Sequence, residues 1–181
     1  EKGILDLLIA YPVSRSGFFW GRLASYLVAT ALILIISWLG WLIPSGNSGL
    51  GLDAVQLLRP FLPLFVILVL FGVSALLFSM LLPSSRSAIG LAGALLVINF
   101  LLVGLSNINP ELQAIYELTP LNFYQGGSAV AGLDWVNLSG LTGISLILSL
   151  IAWWLFNRRE IRVGGEGGWK LPKLAFGGRK S

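Results

Sequence analysis

The sequence predicts an all-α integral membrane fold: four transmembrane helices, an amphipathic helix ahead of them and short helices on the outer surface. Three observations carry this prediction. Of 181 residues, 56% are hydrophobic and only 11% charged, with a mean hydropathy of +0.85; a water-facing domain carries roughly 25% charged residues. Four apolar stretches are each long enough to cross a hydrocarbon core about 30 Å thick, which takes about 20 helical residues. The Lys and Arg residues, 12 in all, gather at the edges of these stretches instead of forming a stripe, so the net charge of +4 describes loops beside a membrane and gives no reason to expect a nucleic-acid partner.

The first element is the segment from Glu1 to Arg15. On a helix Ile4, Leu8 and Tyr11 share one face, Leu5 and Ile9 flank it, and Lys2 and Asp6 fall opposite, which is an amphipathic pattern. Pro12 ends it, because a residue before proline is pushed out of the helical region. Such a helix either lies in the lipid interface or docks into a groove on a partner.

The first span follows from Phe18 to about Ile43, with Arg22 near its start and no charged residue between Leu23 and Leu52. The second, Phe61 to Leu82, draws 16 of its 22 residues from Leu, Ile, Val and Phe. At about −0.4 kcal/mol each on the insertion scale these favour the membrane by roughly 6 kcal/mol. The third, Ser87 to Leu105, is the shortest and holds Asn99 near its middle. The fourth runs from Val136 to Phe156, closing on Trp153, Trp154, Arg158 and Arg159, the residue types found at a headgroup boundary.

Orientation comes from the loops. Eleven of the 12 Lys and Arg residues, all but Arg59, fall on one side when the chain alternates through four spans. The positive-inside rule makes that side cytoplasmic. It holds the N-terminal segment, the turn from Pro83 to Arg86 and the C-terminal tail, 164–181, which is rich in Gly, Lys and Arg and is expected to be flexible and attracted to anionic lipid. The outer loop from Ser106 to Trp135 is too long for a simple turn. Asn109-Pro110-Glu111 has the cap, the proline and the acid of a helix start, and Thr119-Pro120 stops that helix. Tyr116, Phe123, Tyr124 and Trp135 suit a headgroup-level position, as an ordered cap or as a gate. Gly126-Gly127 and Gly132 permit bends.

The chain has no Cys and no His, which excludes disulfides, thiol and imidazole catalysis, and nearly every zinc, haem or iron–sulfur site. No catalytic, cofactor-binding or metal site is expected. An intramembrane enzyme would need a Ser/Lys or Asp pair, and no Lys or Asp lies within a span. Gly177-Gly178-Arg179-Lys180-Ser181 is similar to the end of a phosphate-binding loop but lacks the upstream glycine and the strand-to-helix setting.

Taken in order, the residues resemble a family. A short helix with Glu1, Gly3, Leu7 and Leu8, then Pro12, Ser14 and Arg15, then Gly21 at the entry to a long span, resembles the cytoplasmic segment ahead of the third membrane helix in ABC-2 type permeases, the membrane subunits of ATP-binding cassette exporters. Thr119-Pro120-Leu121-Asn122 with its following aromatics, and Phe156-Asn157-Arg158-Arg159-Glu160-Ile161 after the last span, are similar too. The resemblance covers Glu1 to about Val163, so that 1–163 is expected to be the C-terminal part of a permease domain. Such permeases usually have six spans, and the four here, with the absent initial Met, imply a fragment lacking the first two.

The resemblance implies that Glu1, Gly3, Leu7, Leu8, Pro12, Ser14 and Arg15 belong to a coupling helix seated on a separate cytoplasmic ATPase. ATP and Mg would then bind on that partner and not on this chain. It further implies a second permease chain, in a homo- or heterodimer, and a location in the cell's inner (plasma) membrane. Two other classes stand beside it. An ion-coupled secondary transporter would need ionisable groups within the membrane, and none lies deep in any of the four spans. A non-transporting anchor would recruit a soluble partner through the N-terminal helix. Asn99 is the one strong hydrogen-bonding side chain at depth, suited to holding helices together or to contacting a ligand. Thr30, Ser37, Ser74, Ser79, Thr142, Ser145 and Ser149 complete a weakly polar set that selects no substrate.

Overall fold

A computed structural model describes residues 14–47, 51, 53–82 and 84–158. The N-terminal amphipathic segment up to residue 13 and the tail beyond 158 lie outside the described residues. What is described is an all-α, multi-pass membrane fold whose four long helices are each apolar enough to span a bilayer.

The first span, α1, is Arg15–Asn47. At 1.5 Å per residue its 33 residues reach about 50 Å, so it outruns a hydrocarbon core of about 30 Å and continues through Pro44, one turn beyond the boundary expected from the sequence. A five-residue helix that the sequence did not announce, α2 (Ala54–Leu58), is held by a capping box: the Asp53 carboxylate accepts from the Ala54 amide at 2.8 Å and the Gln56 side chain accepts from the Asp53 amide at 3.0 Å. After a turn at Arg59 and Pro60 comes the second span, α3 (Phe61–Leu81).

The third span, α4 (Ser85–Ser106), starts two residues earlier than expected because the Ser84 hydroxyl caps it, accepting from the Ser87 amide at 3.1 Å. Arg86 therefore belongs to the helix and not to the preceding turn. The predicted outer helix is α5 (Pro110–Tyr116), with the Asn109 side chain accepting from the Glu111 amide at 3.0 Å. Two 3₁₀ turns follow, Pro120–Phe123 and Gly126–Val130, the second entered through Gly126 at φ +54°. The fourth span, α6 (Trp135–Arg158), begins under an Asp134 cap whose carboxylate accepts from the Val136 and Asn137 amides at 3.0 and 3.1 Å.

Span α3 is the centre of the bundle. It packs most extensively on α6, then on α4, with α1 lying against both α3 and α6. One buried cluster joins Phe19 and Leu23 of α1 to Val73 of α3 and Ala152 of α6. A second joins Ile67 and Leu70 of α3 to Leu141 of α6, with Leu121 and Tyr124 of the outer loop packed on it. The loop is thus seated on the helix ends. The side-chain amide of Gln125 closes the loop on itself, accepting from the Asp134 N–H at 2.7 Å and donating to the Gly132 carbonyl at 3.1 Å.

Candidate functional site

The site the sequence points to is the end of the bundle where α1 begins. Of the expected coupling residues, Glu1, Gly3, Leu7, Leu8 and Pro12 lie outside the described residues, while Ser14 and Arg15 fall within them. Ser14 is exposed and caps α1: its hydroxyl accepts from the Gly17 amide at 3.1 Å and its carbonyl from the Phe18 amide at 3.0 Å. A capped helix starts without fraying. The long span therefore begins at Arg15, directly after its Ser14 cap.

One residue further on, α1 is fastened to the end of α6. The Trp153 indole N–H donates to the Ser16 hydroxyl at 3.2 Å, and that hydroxyl donates to Asn157 Oδ1 at 3.4 Å. Around this relay the rings of Phe18 and Phe156 stack at 6.3 Å, Phe19 meets Phe156 at 5.7 Å, and Trp20 meets Trp153 at 6.3 Å. Such ring pairs contribute about 0.5–1.5 kcal/mol each beyond their burial. Two guanidinium groups lie on ring faces here, Arg22 over Phe18 at 5.3 Å and Arg158 over Trp154 at 3.9 Å, an arrangement that keeps a cation at a lipid boundary attached to its aromatic neighbour. We refer to this assembly as the clasp.

Trp153, Trp154 and Arg158 are legible in the sequence as a headgroup boundary, but their tie to Ser16 is not, because Ser16 and Trp153 stand 137 residues apart and no local periodicity reports a contact at that distance. The available signal was topological: four spans return the chain to the face from which it started.

Deeper in the bundle, Tyr26 of α1 donates its hydroxyl to the Leu68 carbonyl of α3 at 2.7 Å. Leu68 is four residues before Gly72, and the missing side chain of Gly72 is what uncovers that carbonyl: a Cβ there would collide with the Tyr26 ring. Asn99, 5% exposed, donates to the Leu95 carbonyl of its own helix at 2.8 Å, while its Oδ1 is buried without a hydrogen-bond partner among the described residues. A buried acceptor left in this way costs about 1–3 kcal/mol. It forms no bond to another span among the described contacts, so the helix-joining role falls to Tyr26.

Most of the remaining weakly polar set turns inward on its own helices. Ser37, Ser74, Ser79, Thr142, Ser145 and Ser149 each donate to a carbonyl three or four residues back, a bond within the helix that satisfies a hydroxyl in hydrocarbon. At the opposite end of the bundle from the clasp, the Arg59 guanidinium donates to the Val130 carbonyl at 3.2 Å and the Trp38 indole to the Ala54 carbonyl at 3.2 Å. Neither contact was foreseen. No family model matches the chain, and no curated protein or solved structure matches it.

Proposed function

We propose that the chain is a membrane-spanning permease subunit of an ABC exporter, moving its substrate with ATP hydrolysed by a separate cytoplasmic ATPase that grips the Glu1 to Arg15 segment. The clasp is the observation that carries this reading. The segment precedes a capped α1, and α1 is fastened to α6 at the same end by the Ser16, Trp153 and Asn157 bonds and by the paired rings of Phe18, Phe19, Trp20, Trp153 and Phe156. Displacement of that segment is then delivered to two spans together, which is the transmission a permease needs to exchange inward- and outward-open states. In this reading the clasp end is cytoplasmic by its excess of Lys and Arg, the membrane is the plasma membrane, and a second permease chain completes the path. The resemblance of Pro12, Ser14 and Arg15 with Gly21 to the ABC-2 pattern supports the same assignment.

The test is copurification of an ATP-binding cassette ATPase with the intact protein from native membranes, before and after Leu7→Glu with Leu8→Glu. Loss of the ATPase from a protein that still melts cooperatively is the expected result; retention would overturn the coupling assignment. Ser16→Ala supplies a second arm. It leaves docking intact, removes about 1 kcal/mol of hydrogen bonding, and lowers transport per ATP hydrolysed because α6 no longer follows α1.

A further inference from the structure

At the end of the bundle away from the clasp, an apolar groove of about 210 Å³ runs between α1 and the junction of α2 with α3. Ala31 and Leu34 form one wall, and Leu58, Phe61, Leu62 and Phe65 the other. Leu34 stands about 21 Å along α1 from Trp20 in the clasp, at 1.5 Å per residue, so the groove lies at hydrocarbon depth. An apolar cavity of about 150 Å³ stays dry and takes up hydrocarbon instead of water. A larger groove with these walls, open to a bilayer, is filled by hydrocarbon for the same reason.

Two polar side chains mark the headgroup end. Trp38, one turn beyond Leu34, ties α1 to α2 through its bond to the Ala54 carbonyl. Arg59 follows Leu58 directly. It is the one Lys or Arg between Arg22 and Arg86, and no carboxylate pairs with it among the described residues. Its bond to the Val130 carbonyl uses one of the five N–H donors of a guanidinium and holds the group at the junction, leaving donors in the fork geometry that suits a phosphate.

We infer that this groove is a binding site for one anionic phospholipid, an acyl chain lying between Ala31–Leu34 and Leu58–Phe65 and the phosphate held by Arg59. The site rests on the membrane-spanning fold and is independent of the transport reading. A lone juxtamembrane cation favours an anionic over a zwitterionic headgroup by about fivefold, while the walls contribute affinity that is indifferent to the headgroup. The two contributions are therefore separable by mutation.

The experiment places the purified intact protein in nanodiscs doped with phosphatidylglycerol or phosphatidylcholine bearing a diazirine in the acyl chain, and maps the photolabelled peptides by mass spectrometry. Labelling concentrated at residues 31–35 and 58–65, about fivefold stronger from phosphatidylglycerol, is expected. Arg59→Gln should equalise the two lipids while preserving groove labelling. Ala31→Trp should fill the groove and remove the labelling, and Leu62→Trp does the same from the opposite wall should the first variant fail to fold. Equal labelling by both lipids in the wild type overturns the inference. So does labelling spread evenly over exposed positions such as Ile36, Phe100 and Ile147.

Discussion

Spans α3 and α6 differ as much in composition as any two helices here, yet they are buried alike. The most apolar window of α3 has a hydropathy of 2.8 and that of α6 only 1.8, and in both 22% of the window is buried within the protein. Spans α1 and α4, at 2.2 and 2.4, are buried over 6% and 11%. Hydropathy therefore does not rank burial in this bundle. Lipid tails are as apolar as leucine, so an apolar side chain gains nothing by leaving lipid for protein. Close approach decides instead. Span α6 is drawn in by Ser145, Ser149 and Ala152, small residues on one face of which the two serine hydroxyls are already satisfied within the helix, whereas α4 turns Ile89, Val97 and Phe100 outward.

The largest test of that contrast is one substitution made in two helices. Ala152, fully buried against Phe19, Leu23 and Val73, becomes overpacked as Ala152→Leu, with an expected loss of about 3 kcal/mol. Ala94→Leu, on the exposed side of α4, should change stability by less than about 0.5 kcal/mol. Denaturant titration in mixed micelles measures both, and equal losses would break the distinction between the two spans.

A smaller effect is expected where α1 meets α3. Gly72→Ala pushes the Tyr26 ring aside and costs its bond to the Leu68 carbonyl, about 1 kcal/mol with the accompanying packing loss. In a Tyr26→Ala background the same change should cost nothing further, so a double-mutant cycle isolates the contact. A penalty that persists without the Tyr26 ring would place the cause elsewhere in α3.

The smallest concerns the outer loop. Burial pushes the Tyr124 phenol above its ordinary value of 10.0, which favours its neutral form in the folded state. Its contribution is fully present below about pH 10, where the unfolded phenol is also neutral, and is lost as pH rises through the higher folded value. The melting temperature should therefore hold steady from pH 7 to 9 and fall above 10, with part of that fall absent in Tyr124→Phe. An identical pH profile in the variant would show that the loop does not bury the phenol against Ile67, Leu70 and Leu141.

Much of the architecture was legible because its causes are local. The length of apolar runs set the four spans, Asn109-Pro110-Glu111 announced α5, and Trp153 with Arg158 marked a boundary. The capping box at Asp53 was equally local, but Gln56 is also a residue that any polar loop would carry. The clasp, the Tyr26 bond and the Arg59 bond were not legible. Each joins residues 42 or more positions apart, and their pairing is decided by how the helices rotate against one another. Asn99 was legible as an unusual residue but not in its role, since its bond to Leu95 and its unpartnered oxygen depend on what packs beside α4.

The clasp also limits how this bundle can deform. A turn of α1 about its own axis by one residue, about 100° at 3.6 residues per turn, would carry Ser16 out of reach of Trp153. While those bonds hold, the first and last helices tilt as one stiff plate with α3 wedged between them. Span α4 takes no part in the clasp and is seated on α3 and the short outer helices, so a tilt of α1 with α6 reaches it only through α3 and that outer loop.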